Sequence, residues 1–146
     1  MSAGDRGRQV DPGHEPITAE ERLYRRIPVS QNWVSESREL DPQAFAPNSK
    51  RDETGISISR AKYKSLADAA KGMPAKSYFV AVLRAEDLLA AGIVVESRPL
   101  EGDPGHAELA QLNSADRKSD RCLELQRTLA RLVVSIEGPF TTDAPL

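Results

Sequence analysis

The chain has 146 residues, 39% of them hydrophobic and 29% charged, with a formal net charge of −2 at pH 7. A chain of this length fits one domain, which buries roughly two-thirds of the surface that the unfolded chain exposes. The small net charge gives no overall attraction to nucleic acid or to a membrane. The single cysteine, Cys122, excludes an intramolecular disulfide framework and a cysteine-based zinc cluster.

The ends of the chain differ in composition from its middle. No apolar run approaches the roughly 18 residues that span a bilayer, and residues 1–10 lack the apolar centre of a secretory signal. We therefore expect a cytoplasmic protein that does not bind membranes. Both ends are rich in Gly and Pro, which predicts a disordered tail over 1–17, one α+β domain over 18–137 and a flexible tail over 138–146.

Two structures compete for the first element of the domain. Thr18 and Glu21 match a capping box that would begin a short helix. The run Leu23–Ile27 matches instead an edge strand that ends at Pro28, and we favour the strand. The irregular segment that follows, over 31–48, holds Trp33 and Phe45, which we expect to cover an edge of the core.

The middle of the chain alternates short strands and short helices. Ile56–Ser59 predicts a strand with isoleucines inward and serines outward. The unbroken apolar run Tyr78–Leu83 predicts a central strand that is buried on both faces. Further elements are predicted as a helix over 65–71 with Ser65 as its N-cap, a helix over 85–91, and strands over 93–97 and 106–109.

The last predicted element is an amphipathic helix of about five turns. Asn113 or Ser114 would cap it, and apolar residues recur at steps of three and four from Cys122, itself expected to be buried, to Ile136. The predicted fold is a small, mixed, mostly antiparallel sheet with this long C-terminal helix packed on it.

No standard nucleotide, nucleophile-elbow, metalloprotease or dithiol motif is present, so candidate residues stand singly. His106, in a Gly/Pro loop, could act as a base, although capping a turn is the commoner role. Arg25 or Arg26 could bind phosphate, although charged residues also protect an edge strand. Ser57 and Ser59 share one face that could line a nucleotide cleft or simply contact solvent. We expect no metal and no cofactor.

The segment from Lys50 to Lys76 is locally basic and contains Tyr63. Basic residues around an aromatic ring can hold RNA or DNA, but a stacking platform normally has more rings. Nucleic acid is therefore the less favoured partner, behind another protein.

Several short pieces of the chain, taken in order, resemble a set of uncharacterised bacterial proteins. These pieces are Arg25-Arg26-Ile27, Phe45-Ala46-Pro47, Gly55-Ile56-Ser57-Ile58-Ser59, Ala91-Gly92-Ile93-Val94-Val95 and Pro104-Gly105-His106-Ala107. The resemblance covers about Leu23 to Ile136 and implies no particular activity.

The chain also resembles the ADP-ribosyltransferase-like group. Members carry a basic residue on an early strand, a Ser or Tyr on the second strand and a later catalytic Glu, and Arg25, Ser57 and Glu108 take those places here. The resemblance implies that these three residues share one site.

Two hypotheses of function follow from these features. The favoured one is a non-enzymatic accessory subunit that binds a larger bacterial protein, which predicts an exposed apolar patch. The alternative is a small nucleotide- or nucleic-acid-directed enzyme that uses Arg25 or Arg26, Ser57, His106 and Glu108, and it requires these side chains to converge on one pocket.

Overall fold

The computed structural model describes residues 12–143 of the chain. Within them lie six strands, three α-helices and two short 3-10 helices. The strands are β1 Arg22–Pro28, β2 Ile56–Arg60, β3 Ser77–Arg84, β4 Glu96–Ser97, β5 His106–Leu109 and β6 Ser135–Thr141. The α-helices are α1 Leu66–Ala69, α2 Ala85–Ala90 and α3 Asp120–Leu132, and the 3-10 helices span Val29–Gln31 and Pro42–Phe45. The α+β class is therefore confirmed.

The described strands form one sheet in the order β4-β5-β2-β1-β3-β6, and every neighbouring pair is antiparallel. The strand predicted at Leu23–Ile27 is confirmed, but its predicted place at an edge is wrong. β1 lies between β2 and β3 and pairs with β3 along its whole length. Two core-facing residues, Leu23 and Ile27, explain this position because both are fully buried.

The predicted apolar strand Tyr78–Leu83 is present as part of β3, although it is second from an edge rather than central. Its unbroken apolarity reflects cover on both faces. Ala81 and Leu83 belong to the main core, whereas Tyr78 and Val80 pack with Ala69 of α1 in a smaller cluster on the other face. A strand sandwiched in this way needs apolar residues at every position.

The long C-terminal helix is a wrong prediction. The helix α3 has 13 residues, and its N-cap is Ser119, whose hydroxyl accepts a hydrogen bond from the Cys122 amide at 3.1 Å. Cys122 is buried, as expected. Val133 adopts an extended conformation that ends the helix, and Ile136 then belongs to β6. Ile136 fits the three- and four-residue spacing of the helix only by coincidence, since it lies in the strand that follows.

The predicted domain boundaries also shift. β6 pairs with β3 through Thr141, so the boundary predicted after residue 137 falls inside a strand. At the other end, residues 1–11 of the predicted tail over 1–17 lie outside the described residues. Residues 13–16 are held against the sheet by Arg60.

The main core lies between one face of the sheet and the helices α2 and α3. Trp33 is partly buried and packs against this core, as expected, whereas Phe45 is fully buried within it rather than covering its edge. The opposite face is covered only in part by α1, which leaves the polar side chains of β2 and β5 open. This half-covered face positions the candidate site.

Candidate functional site

A cleft opens where β1 and β2 stop pairing. The two strands pair only at Leu23 with Arg60 and at Tyr24 with Ser59. Beyond this point the Arg25 side chain bridges them, since its Nε donates to the Ala44 carbonyl at 3.0 Å and its Nη1 to the Ser57 carbonyl at 2.8 Å. Arg25 thus ties β1, β2 and the second 3-10 helix together at the head of the cleft.

The cleft has a volume of about 910 Å³, within the range of small-molecule sites. Four of the five candidate residues line it: Arg25, Arg26, Ser57 and His106. Its charged lining comprises six basic and three acidic residues, although the chain as a whole has a net charge of −2. These are Arg25, Arg26, Arg51, Lys64, Lys71 and Lys76 against Asp52, Asp68 and Asp103. A cleft with an excess of one sign of charge concentrates ligands of the other.

Ser57 and His106 form a hydrogen-bonded pair in this cleft. The Ser57 Oγ lies 3.1 Å from His106 Nε2, and His106 Nδ1 lies 2.9 Å from the Arg98 carbonyl oxygen. A carbonyl oxygen only accepts, so Nδ1 carries a proton, and Nε2, when it carries none, accepts a hydrogen bond from the Ser57 hydroxyl. Consecutive hydrogen bonds thus link a hydroxyl, a base and a carbonyl that orients the base.

The sheet register brings this pair together. Ile58 is buried in the core and pairs with Ala107, so Ser57 and Ser59 point to the opposite, half-covered face. On the same face, Ser59 pairs with His106 and Ser57 pairs with Glu108. The alternation Ile-Ser-Ile-Ser and the strand over 106–109 were both visible in the sequence, but their register was not.

Glu108 is placed beside Ser57 but not in the cleft lining. Its Oε1 accepts a hydrogen bond from the Thr54 hydroxyl at 2.6 Å and lies 3.3 Å from Arg98 Nε. The Glu108 side chain is 13% exposed. The Glu108 carboxylate is therefore a largely buried charge, held in a fixed position next to Ser57.

Arg26 lies on the cleft side of β1. Its guanidinium is 5.0 Å from the centre of the Tyr78 ring, and its Nη1 donates to the Lys71 carbonyl. Tyr78 is in turn fixed because its hydroxyl accepts from the Met73 amide at 2.9 Å. Arg26 and Tyr78 thus present a stacked charge and ring at the floor of the cleft.

The charge of Arg25 is affected by its surroundings. Burial lowers its pKa to about 10, Asp52 opposes this shift, and the positive charges of Arg26 and Arg51 add to it. The group still carries its proton at neutral pH. An anion bound among these three arginines would offset their mutual repulsion.

The basic segment over 50–76 contains cations that line the cleft and one, Arg60, that is buried elsewhere. Four of its cations, Arg51, Lys64, Lys71 and Lys76, line the cleft. Their composition was visible in the sequence, whereas their convergence required the fold. Lys64 is partly neutralised there, since its Nζ lies 3.0 Å from Asp103 Oδ1.

Arg60, from the same segment, is instead fully buried. Its Nε and Nη2 donate to the Glu21 carboxylate at 2.7 and 2.8 Å, and its Nη1 donates to the carbonyls of Gly13 and Glu15. Burial would raise the pKa of Glu21, but the hydrogen bonds from Arg60 and from the Thr18 amide outweigh it and lower the pKa. The predicted capping residues Thr18 and Glu21 thus form a turn beside this ion pair, rather than a helix.

Within residues 12–143, no three metal-binding side chains lie together in a way that could hold a metal ion. No helix of the described chain is both long and apolar enough to cross a membrane. Comparisons with protein-family models, with curated proteins and with solved structures found no match for this chain.

Proposed function

We propose that the protein is a nucleotide-directed enzyme of the ADP-ribosyltransferase-like kind, acting on a dinucleotide such as NAD in the cleft between β1 and β2. The observation that carries this proposal is the convergence of Arg25, Ser57 and His106 on one positively charged cleft. The sequence hypothesis of an enzyme required Arg25 or Arg26, Ser57, His106 and Glu108 to converge on one pocket, and all of these except Glu108 line the cleft. The hypothesis of an accessory subunit predicted that no cleft gathers Arg25, Ser57 and His106.

The charge of the cleft supports a phosphate-bearing ligand. Arg25 uses Nε and Nη1 for backbone carbonyls, and among residues 12–143 no acceptor hydrogen-bonds to its Nη2. A phosphate at this position would receive a charge-assisted hydrogen bond from Nη2. Arg26, which is exposed and stacked on the buried Tyr78 ring, adds a second cation.

The hydroxyl and carboxylate on β2 and β5 support group transfer from a ribose. When the glycosidic bond of NAD breaks, nicotinamide leaves with the bonding electrons and positive charge develops on the ribose. A carboxylate close to that carbon stabilises this charge. The candidate carboxylate is Glu108, which pairs with Ser57 on the same face of the sheet. It lies outside the cleft lining, so this role requires its side chain to turn away from Thr54 and Arg98 toward the ligand.

The Ser57–His106 pair supports the proton transfer that must accompany the reaction. The acceptor that attacks the ribose carbon loses a proton, and His106 Nε2 can accept it, either directly or through the Ser57 hydroxyl. The Arg98 carbonyl keeps the other ring nitrogen protonated and thus fixes the base in the required tautomer.

An accessory subunit remains the prediction made from sequence. Its expected feature was an exposed apolar patch, and the large exposed apolar residues within 12–143 are Met73, Leu89, Val94, Leu100, Leu123 and Val134. The enzyme is proposed here because the charged cleft gathers three of the candidate residues on which that hypothesis depends.

The test is calorimetric titration with NAD, ADP-ribose and adenosine, followed by assay of nicotinamide release. We expect ADP-ribose and NAD to bind, adenosine to bind far more weakly because it lacks phosphates, and Ser57→Ala and His106→Gln to slow nicotinamide release about a hundredfold or more. Binding of adenosine as tight as that of ADP-ribose, or no heat with any ligand, would overturn the proposal.

The chain offers a matched control for each variant. Ser37 is an exposed serine outside the cleft lining, and His14 is the second histidine, also exposed. Ser37→Ala and His14→Gln should bind and react as the unaltered protein does. Equal losses in the control variants would mean that the effect of Ser57→Ala and His106→Gln is not specific to the cleft.

A further inference from the structure

A second concave surface lies on the opposite side of the molecule from α1, where the loop over 38–42 meets α3 and β6. It has a volume of about 470 Å³. Its apolar lining is half-buried and comes from all three elements: Leu40, Pro42, Ala130, Val133 and Ile136. None of these residues belongs to the cleft described above.

Three arginines surround this apolar lining. Arg127 and Arg131 lie one helical turn apart on α3 and are exposed, and Arg38 comes from the loop. No ion pair joins any of the three to a carboxylate of residues 12–143. One carboxylate, Glu39, also lines the groove, so the local charge is positive.

Arg38 is held in place rather than free to turn away. Its Nη2 donates to the Gly138 carbonyl at 3.0 Å, and its guanidinium lies 5.1 Å from the centre of the Phe79 ring. Its backbone has a φ of 66°, a left-handed conformation that a non-glycine residue seldom adopts. This conformation belongs to the tight turn in which the Arg38 amide donates to the Ser35 carbonyl and the Ser35 amide donates to the Glu39 carbonyl.

We propose that this groove binds a small amphiphilic anion, with an apolar body against Leu40, Val133 and Ile136 and a carboxylate or phosphate head between the arginines. An apolar pocket with a few charged groups at its rim is the usual architecture of a small-molecule site, and a guanidinium pairs well with either head group. The volume fits a medium-chain molecule, and the positive rim selects against a neutral or cationic one.

The probes for this proposal are octanoate and octyl phosphate, with octanol as the uncharged match and acetate as the match without an apolar body. We expect both octyl anions to bind in calorimetric titrations, at least about tenfold more tightly than octanol or acetate, because only they satisfy both the rim and the lining. The tighter of the two anions identifies the natural head group. Equal binding of octanol and octanoate, or of acetate and octanoate, would overturn the proposal.

Variants locate the site. Arg127→Gln with Arg131→Gln should weaken octanoate binding by about tenfold or more. Ala130→Trp should abolish binding by filling the groove, while its circular dichroism spectrum reports that the fold is retained. The control is Arg121→Gln, since Arg121 is exposed on the same helix, pairs with Glu124 and does not line the groove.

The remaining outcomes also decide the question. Unchanged affinity in the Arg127/Arg131 double variant would mean that octanoate binds elsewhere, which refutes the assignment. If no octyl anion binds but an acidic, leucine-containing peptide does, the groove is a protein interface and the proposal is wrong. ADP-ribose titrations run alongside are independent of both outcomes, so failure here leaves the proposed function of the cleft unaffected.

Discussion

Arg60 and Arg25 are arginines on adjacent strands, yet their surroundings give them different roles. Arg60 is fully buried, and its guanidinium is satisfied by the Glu21 carboxylate and by backbone carbonyls of residues 13–16. Arg25 is partly buried at the cleft, where it makes two hydrogen bonds to carbonyls and faces no carboxylate within ion-pair distance among residues 12–143.

The pKa values of the two guanidinium groups shift in opposite directions, in keeping with these surroundings. Burial would lower the pKa of Arg60, but its hydrogen bonds and ion pairs with Glu21 and Glu15 outweigh burial and raise it. For Arg25, burial lowers the pKa to about 10 and neighbouring arginines add to the shift. A guanidinium whose donors are all used holds the fold together, whereas one with an unused donor among like charges is suited to bind an anion.

The largest effect that this comparison predicts is a loss of stability at Arg60. Arg60→Met should lower the free energy of unfolding by about 3–5 kcal/mol, because it leaves the buried Glu21 carboxylate without its partner. Urea denaturation measures the change. The double variant Arg60→Met/Glu21→Leu should recover much of the loss, since no unpaired charge then remains. A single variant that costs less than about 1 kcal/mol would place Arg60 among ordinary surface arginines.

Arg25 should show the reverse pattern, with a small loss of stability and a large loss of binding. Arg25→Met removes two hydrogen bonds to carbonyls, so we expect it to cost about 1–3 kcal/mol of stability while abolishing calorimetric binding of ADP-ribose. The exposed Arg121→Met serves as the control for charge alone. If Arg25→Met binds ADP-ribose normally, then Arg25 only ties the strands together. In that case Arg25, like Arg60, has a structural role and no role in binding.

The sequence predicted local elements better than their partners. The alternation at Ile56–Ser59, the apolar run at Tyr78–Leu83 and the Ser65 cap each depend on neighbouring residues, and the corresponding elements are present. The internal place of β1 and the length of α3 depend on distant contacts. Val133 and Ile136 continue a helical pattern yet lie at the end of α3 and in β6, because the chain pairs with β3 there.

The candidate site divides in the same way. Residue type and local pattern were enough to name Arg25, Ser57 and His106 as candidates, each beside a commoner structural role. Their convergence depends on the antiparallel register of β2 with β5 and on the early end of β1–β2 pairing, which no local pattern encodes. Arg60 lies within the basic segment over 50–76, and nothing in its sequence neighbourhood shows that a distant turn supplies Glu21 as its partner.

The smallest predicted effect is an acid sensitivity carried by the contacts around Arg60. The Tyr63 hydroxyl, a backbone amide and Lys62 together hold the pKa of Glu15 at about 2, below its usual value of 4.5. Between these values the unfolded chain binds a proton that the folded protein does not, so stability rises with pH across this interval and is lost as pH falls toward 2. We therefore expect the free energy of unfolding to be level above about pH 5 and to fall below it.

Urea denaturation at a series of pH values should show a shallower fall for Glu15→Gln, whereas the exposed Glu20→Gln should follow the unaltered protein. The same slope in Glu15→Gln and the unaltered protein would mean that Glu21 alone carries the acid response, and that the segment over 13–16 is held by its carbonyls rather than by the Glu15 charge.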